Sequence, residues 1–287
     1  MTQPVRSLEG RTCLVTGASS GIGEETALAL ARLGARVVLV CRSRERGERS
    51  RAAIAQRSGN DAVDLVLGDL ASLAEVRQLA AELLATCPAI QVLVNNAAVV
   101  NLRRTTTVDG LESTFAVNHL AHFLLTNLLL DRIRESAPAR IVNVASNGHK
   151  LGKLDFDDLQ SERDYRCMRV YGVSKFANVL FSYELARRLQ GTGVTANCLH
   201  PGAVATRLSH NNGAIAVIVT ALLKPFFLSP ARGAATSIHL AAADEVEGVS
   251  GKYFVRRREV PSSPASYDEA VARRLWEESC RLTGLEP

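Results

Sequence analysis

The run Cys13-Leu14-Val15-Thr16-Gly17-Ala18-Ser19-Ser20-Gly21-Ile22-Gly23 decides the architecture. Cys13 to Val15 is a short apolar stretch with the character of a buried strand, and Ile22 to Leu33 beyond the glycines has the character of a helix. Glycines at 17, 21 and 23 permit a tight turn, close approach of the backbone to a pyrophosphate and close seating of the helix on a sheet. The amino terminus of that helix then faces the phosphates. A glycine-rich turn alone says little; the weight comes from its place between a strand and a helix at the head of the chain.

Working outward, short runs rich in branched apolar residues recur at Val37 to Val40, Val63 to Leu67, Val92 to Val94, Ile141 to Val144, Val194 to Cys198 and Tyr253 to Val255. Helical stretches fall at Arg44 to Arg57, Leu73 to Thr86, Leu111 to Arg134, Tyr171 to Gln190 and Ala231 to Ala243. Strands without polar alternation are buried on both faces, and regular alternation with helices calls for a parallel sheet. The pattern predicts one doubly wound, Rossmann-type α/β domain over residues 8–261, with about seven strands and helices on both faces. The looser stretch 203–230 falls where a substrate lid belongs, and 262–287 is expected to be a loosely attached helical tail.

Composition narrows the function. The 287 residues are 47% hydrophobic and 22% charged, ordinary for a globular chain, and the net charge of +5 is spread thinly. That distribution suits a solvated surface and gives no footprint for nucleic acid. The six cysteines are far apart with no CxxC pair, which fits reduced thiols, a cytoplasmic location and no metal site. Arg6, Glu9 and Arg11 stand where an export signal needs its apolar run. The most apolar stretch, Ala214 to Leu223, is about half the ~20 residues that span a bilayer, leaving interfacial contact open and a transmembrane helix excluded.

The chemistry-bearing residues cluster at the carboxyl ends of the strands. After the second strand, Cys41-Arg42-Ser43-Arg44 replaces the acidic residue that would hold the adenosine ribose of NAD. A guanidinium at Arg42 suits a 2′-phosphate, so the expected cofactor is NADP, with Arg44, Arg46 and Arg49 left as surface residues. Asp69 and Leu70 end the third strand, where Asp69 either touches adenine or caps the helix beyond. Asn95 and Ala97, in Asn95-Asn96-Ala97-Ala98 after the fourth, leave room for a flat ring. Ser146 follows the fifth strand, and Tyr171 with Lys175 shares one helical face at i and i+4. A cation ~4 Å from a phenol, at an effective dielectric of ~20, supplies about the ~4 kcal/mol needed to lower the phenol pKa by ~3 units. Lys175 is therefore expected to make Tyr171 an acid and base usable near neutral pH. His119, His122, His149 and His200 are expected to be structural.

With these residues in place the chain resembles the short-chain dehydrogenase/reductase family over roughly residues 8–260, and most of all its retinol-dehydrogenase-like branch. TGxxxGxG, NNAx, Asn118, Ser146, YxxxK and Pro201-Gly202 stand in family order; Cys41-Arg42, Tyr171-Gly-Val-Ser-Lys-Phe-Ala-Asn178 and a long Ser146-to-Tyr171 interval point to the branch. The resemblance implies that Gly17, Ser19, Ser20, Gly21, Ile22 and Gly23 hold the cofactor, together with Pro201, Gly202 and Thr206 at its nicotinamide end. It also implies that Tyr171 exchanges the proton, Ser146 bonds the substrate oxygen, Lys175 binds the nicotinamide ribose and Asn118 holds a water linking Lys175 to solvent. Two departures stand out: Ala98 replaces the glycine of NNAG, and the chain is expected to lack the hydrophobic amino-terminal anchor of the membrane-bound members.

The expected activity is hydride transfer between NADP(H) and an apolar aldehyde, ketone or retinoid-like alcohol, and the resemblance implies a homo-oligomer formed through the long helices after the fourth and fifth strands. Hydrophobic residues in Gly213 to Leu228 either cover an apolar substrate or pack into the core or a subunit interface, with contact to a lipid surface a lesser alternative. The competing expectation is an NADPH-binding redox sensor without turnover.

Overall fold

Strand β1 (Thr12–Thr16) buries all five of its residues, with Leu14 packed on one face of the sheet and Cys13 and Val15 on the other. A computed structural model describes residues 7–204 and 228–286. From β1 the chain alternates as the sequence predicts: α1 (Gly21–Arg32), β2 (Arg36–Cys41), α2 (Arg44–Ser58), β3 (Val63–Leu67), α3 (Leu73–Thr86) and β4 (Val92–Asn95). Past β4 come α4 (Ser113–Phe115), a π-helical turn at Ala116–Leu120, α5 (Ala121–Leu128), α6 (Leu130–Glu135) and β5 (Ala139–Val144). A 3₁₀ turn at Asn147–Leu151 precedes α7 (Cys167–Arg188) and β6 (Val194–His200). The described chain ends with α8 (Pro230–Ala242), β7 (Tyr253–Val255), β8 (Arg258–Glu259) and α9 (Glu269–Thr283).

The sheet order is β3-β2-β1-β4-β5-β6-β7-β8, parallel from β3 through β7. β1 lies between β2 and β4, so the chain reverses its winding there and opens a crevice at the carboxyl ends of those strands. α1, α2 and α8 cover one face, where Leu28, Leu30, Ile54 and Leu240 meet Val15, Leu39, Val94 and Leu199. α3, α5 and α7 cover the other, with Val76, Leu79, Leu125 and Phe181 against Leu14, Val38 and Leu93. Among the described residues no helix is long and apolar enough to cross a membrane.

The sheet of about seven strands is present as seven parallel strands, with the two residues of β8 added antiparallel on β7. Three expectations are corrected. The single helix foreseen over 111–134 is broken into α4, the π-helical turn, α5 and α6. α7 begins at Cys167, which puts Tyr171 one turn inside the helix rather than at its opening. The tail is not loose: α9 lays Leu275, Trp276 and Cys280 into the core, and Trp276 packs edge-on against Phe123 at 4.9 Å and beside Phe181 at 5.8 Å. Those contacts fill, from within the chain, part of the α5 and α7 surface foreseen as a subunit interface. Thr206 and most of the foreseen lid lie outside the described residues; Val204 pairs with Leu228 where the described chain resumes.

Candidate active site

The crevice between the carboxyl ends of the strands is a cleft of about 520 Å³ among the described residues. Its floor is the turn after β1. Gly17 has φ +67°, and a Cβ there would stand 2.9 Å from the Ala97 Cα; at Gly23 a Cβ would stand 2.5 Å from both the Asn96 Nδ2 and the Gly17 carbonyl oxygen. Both contacts are closer than a side chain tolerates, so the turn, the start of α1 and the loop after β4 form one bare backbone cradle. Thr16 fastens it: its hydroxyl oxygen accepts from the Asn96 and Ala97 N–H groups at 2.9 and 3.0 Å, while Asn96 Nδ2 donates to the Thr16 carbonyl at 2.8 Å.

Gly17, Ser19, Ser20 and Ile22 line the cleft directly, while Gly21 and Gly23 shape the turn behind them. Arg42, Asp69 and Leu70 line the far end, and the Arg42 guanidinium is 3.9 Å from the Asp69 carboxylate. Asp69 also accepts from Ala71 N–H at 3.0 Å, but the α3 cap is Ser72. Arg46, assigned to the surface by sequence, lines the cleft as well. No local pattern marked it, because which side of the first turn of α2 (Arg44–Ser58) faces the cleft is decided by packing. Ala97 lines the wall, but the Asn95 side chain does not; it points into the protein and donates to Thr126 Oγ1 at 2.9 Å and Asn143 Oδ1 at 2.8 Å. Its neighbour Asn96 holds the place foreseen for it.

At the other end, Ser146, Tyr171, Lys175, Pro201 and Gly202 come together. Ser146 leaves β5 and accepts from Gly148 N–H at 3.1 Å, keeping its hydroxyl proton for another acceptor. His149 supports it from behind. His149 Nε2 accepts from Ser263 N–H at 3.0 Å, so its proton sits on Nδ1, which donates to the Ser146 carbonyl at 2.7 Å. Burial lowers the His149 pKa, which keeps that neutral tautomer. Lys175 is 1% exposed and donates to the Val144 carbonyl at 2.9 Å, its ammonium nitrogen 5.7 Å from the Tyr171 ring centre.

The electrostatics differ from expectation. Burial lowers the Lys175 pKa to about 7, and burial raises Tyr171 above the usual phenol value, offset in part by a hydrogen bond with Ser146. In the protein alone desolvation outweighs any help from the lysine, because both groups leave water together and the ammonium is turned to a backbone carbonyl.

Asn118 stands behind this wall, in the π-helical turn. Its side-chain oxygen accepts from Val99 N–H at 2.8 Å, and its amide donates to the Val99 carbonyl and to Ser174 Oγ, both at 3.0 Å. Its own carbonyl takes Asn178 Nδ2 at 2.9 Å and His122 Nδ1 at 3.2 Å. Of the histidines, His119 and His122 are buried in hydrogen-bond networks as expected, whereas His200 lines the cleft with a buried Nδ1 that has no hydrogen-bond partner among the described residues.

Comparison with known proteins agrees with this geometry. Human retinol dehydrogenase 13 is 46% identical over 286 residues, covering 98% of this chain and 86% of its own length. Mouse retinol dehydrogenase 12 is 44% identical, covering 97% of this chain and 88% of its own. The crystal structure of an uncharacterised protein from Mycobacterium Paratuberculosis superposes with a TM-score of 0.80 at 32% identity, covering 98% of this chain and 96% of that one. The Pseudomonas aeruginosa RhlG/NADP active-site complex superposes with a TM-score of 0.69 at 29% identity, covering 86% and 95%. The family model described as short chain dehydrogenase matches residues 11–215. That span begins before β1 and runs past the Pro201-Gly202 turn, taking in every described wall of the cleft, and the chain thereby belongs to the short-chain dehydrogenase family of nicotinamide-dependent oxidoreductases.

Proposed function

We propose that the protein interconverts an apolar carbonyl and its alcohol by hydride transfer with NADP(H). The observation that carries this is that Ser146, Tyr171 and Lys175 open onto the same cleft as the glycine cradle, so a dinucleotide laid along the cradle ends beside the phenol. The residues present fit such a group: a Cβ at Gly17 or Gly23 would fill the cradle, the start of α1 offers unpaired N–H groups to phosphates, and Arg42 and Arg46 supply two cations at the adenosine end. The name of the RhlG complex and those of the retinol dehydrogenases support NADP and a retinoid-like substrate respectively.

Bound nicotinamide supplies or accepts the hydride. Ser146, its oxygen already accepting from Gly148, donates to the substrate oxygen and orients it. Tyr171 exchanges the proton at that oxygen. Its pKa, raised by burial, makes it a proton donor in the resting protein, suited to reduction. Lys175 lies behind the phenol, and with a pKa of about 7 it is half-charged at neutral pH, able to take up and return a proton without a large energy step. Val99, Val117 and Met168 line this end with no carboxylate among them, which suits an apolar substrate.

The test is turnover with a chain-length series of aldehydes and NADPH. The kcat/KM is expected to rise with each added methylene until the pocket fills, and Tyr171→Phe is expected to lose turnover while keeping NADPH affinity. No turnover with any carbonyl or alcohol, or wild-type kcat in Tyr171→Phe, would overturn the proposal.

A further inference from the structure

We infer that His119 is a positioning residue through which the C-terminal helix α9 fixes Asn118 and the cleft wall at Val99. The inference rests on the site proposed above and extends it to a residue that touches neither cofactor nor substrate.

The hydrogen bonds can run in only one direction. Asn178 Nδ2 donates to the Asn118 carbonyl at 2.9 Å, so its other side-chain atom, the acceptor Oδ1, faces His119 Nδ1 at 3.3 Å. Nδ1 must therefore carry the imidazole proton. Nε2 is then an acceptor, and the donor beside it at 2.9 Å is the Ser279 hydroxyl of α9. That hydroxyl also donates to the Leu275 carbonyl at 2.7 Å, so its one proton is shared between the carbonyl and Nε2, and the carbonyl keeps its helical N–H partner when the proton turns to His119. A single chain of donors thus runs from Ser279 through His119 and Asn178 to Asn118. Every member is buried: His119 is 0% exposed, Asn118 0%, Asn178 3% and Ser279 1%.

The rest of the surroundings make His119 hard to replace by packing alone. Its ring lies 5.1 Å from Phe115 and 6.1 Å from both Phe123 and Phe181, an apolar cage in which an unpaired ring nitrogen has no water to turn to. Burial lowers its pKa to about 4, so the neutral tautomer persists across the working range. Trp276 of the same α9 that carries Ser279 packs against two of those rings, Phe123 and Phe181, so the helix braces the cage and supplies the terminal donor.

What the chain sets is the π-helical turn. Ala116–Leu120 departs from the regular α ladder, so side-chain donors help hold the Asn118 carbonyl: Asn178 from α7 and His122 from α5. With the carbonyl held, the Asn118 amide is aimed at both backbone groups of Val99, which lines the cleft, and at Ser174, next to Lys175. Loss of the His119 donor leaves Asn178 Oδ1 unpaired and lets its amide turn away from Asn118.

Three variants separate this role from plain packing. His119→Phe keeps the ring in the cage and deletes both hydrogen bonds; His119→Asn keeps a donor near the Nδ1 position; Ser279→Ala removes the link to α9. In His119→Phe, kcat is expected to fall about tenfold, with the aldehyde KM and the NADPH dissociation constant within about twofold of wild type. Amide hydrogen exchange at Val99 is expected to speed up about tenfold, with the amides of β1 and β4 unchanged. His119→Asn should restore most of both quantities. Ser279→Ala should move Val99 exchange in the same direction by less, and it carries the test if His119→Phe does not fold. Wild-type kcat and Val99 exchange in a folded His119→Phe would overturn the inference. So would equal losses in His119→Asn and His119→Phe, which would assign the effect to shape, and so would wild-type Val99 exchange in Ser279→Ala. The exchange measurement needs no turnover, so an inactive wild-type protein would refute the proposed function and leave the test of His119 intact.

Discussion

Replacing Lys175 with methionine is expected to stabilise the protein without cofactor, by an amount that shrinks as the pH rises. Lys175 is 1% exposed and its ammonium donates to the Val144 carbonyl. Burial takes its pKa from 10.5 to about 7. Between those two values the unfolded chain holds a proton that the folded protein has released, so stability rises with pH across that window. Each pH unit is worth up to 1.36 kcal/mol, so from pH 7 to 8.5, with the folded lysine half-titrated at the start, the gain is about 1.5 kcal/mol. The window is chosen to isolate this group. The buried histidines, whose pKa values are lowered from 6.5, contribute stability that is complete once the pH passes 6.5. The buried thiols of Cys13, Cys41 and Cys198, raised from 9.0, begin to cost stability only as the pH nears that value. Thermal melts of wild type and Lys175→Met at pH 7, 7.5, 8 and 8.5, subtracted from one another, cancel what remains. The wild-type melting temperature should gain on the variant by about 3–6 °C over the series, at ~2–4 °C per kcal/mol. Parallel pH profiles for the two proteins would show that Lys175 keeps an ordinary pKa, and the argument for a neutral-pH proton reservoir would fail with it.

Arg42→Asp is expected to cut the NADPH-over-NADH ratio of kcat/KM by about tenfold or more, since one charged hydrogen bond is worth ~1.5–3 kcal/mol and tenfold needs ~1.4. Adding Arg46→Ala should lower it further, and an unchanged ratio in the double variant would remove both arginines from cofactor choice. Trp276→Ala should cost about 3–5 kcal/mol in urea unfolding, because the indole is 5% exposed and packed on two phenylalanines and under the Arg188 guanidinium at 4.0 Å. A loss below about 1 kcal/mol would restore the picture of a loose tail.

What was legible in the sequence was whatever the backbone dictates locally. The turn from Gly17 to Gly23 could be read because no side chain fits where those glycines stand, and the strands because a parallel sheet buried on both faces tolerates little but branched apolar residues. Arg46, Asn96 and the packing of α9 were not legible, since each depends on which surfaces meet after folding. Asn95 and Asn96 show the difference well: adjacent identical residues at the end of β4 must point to opposite faces, and nothing local says which face is the cleft. The same holds for the broken helix over 111–134, whose interruption at Ala116–Leu120 answers to donors on α5 and α7.

The Tyr171 and Lys175 pair carries the widest gap between sequence and structure, and it bears on how such a site works. Spacing fixes that the two side chains share a face, but not the solvent they share it in. A Coulomb estimate at an effective dielectric of ~20 favours a low-pKa phenol and a fully charged lysine. Burial moves both groups the other way, towards a neutral phenol and a lysine that titrates near 7. The desolvated pair is costly, and Val144 and Ser146 each offset part of the cost with one hydrogen bond. A site held in that condition gains most from whatever next enters the cleft: a polar oxygen beside Tyr171 and Ser146, or hydroxyl groups beside Lys175, would find donors already desolvated and already aimed. Binding energy would then be strongest at the groups that move the proton, which is where an oxidoreductase of this family needs it.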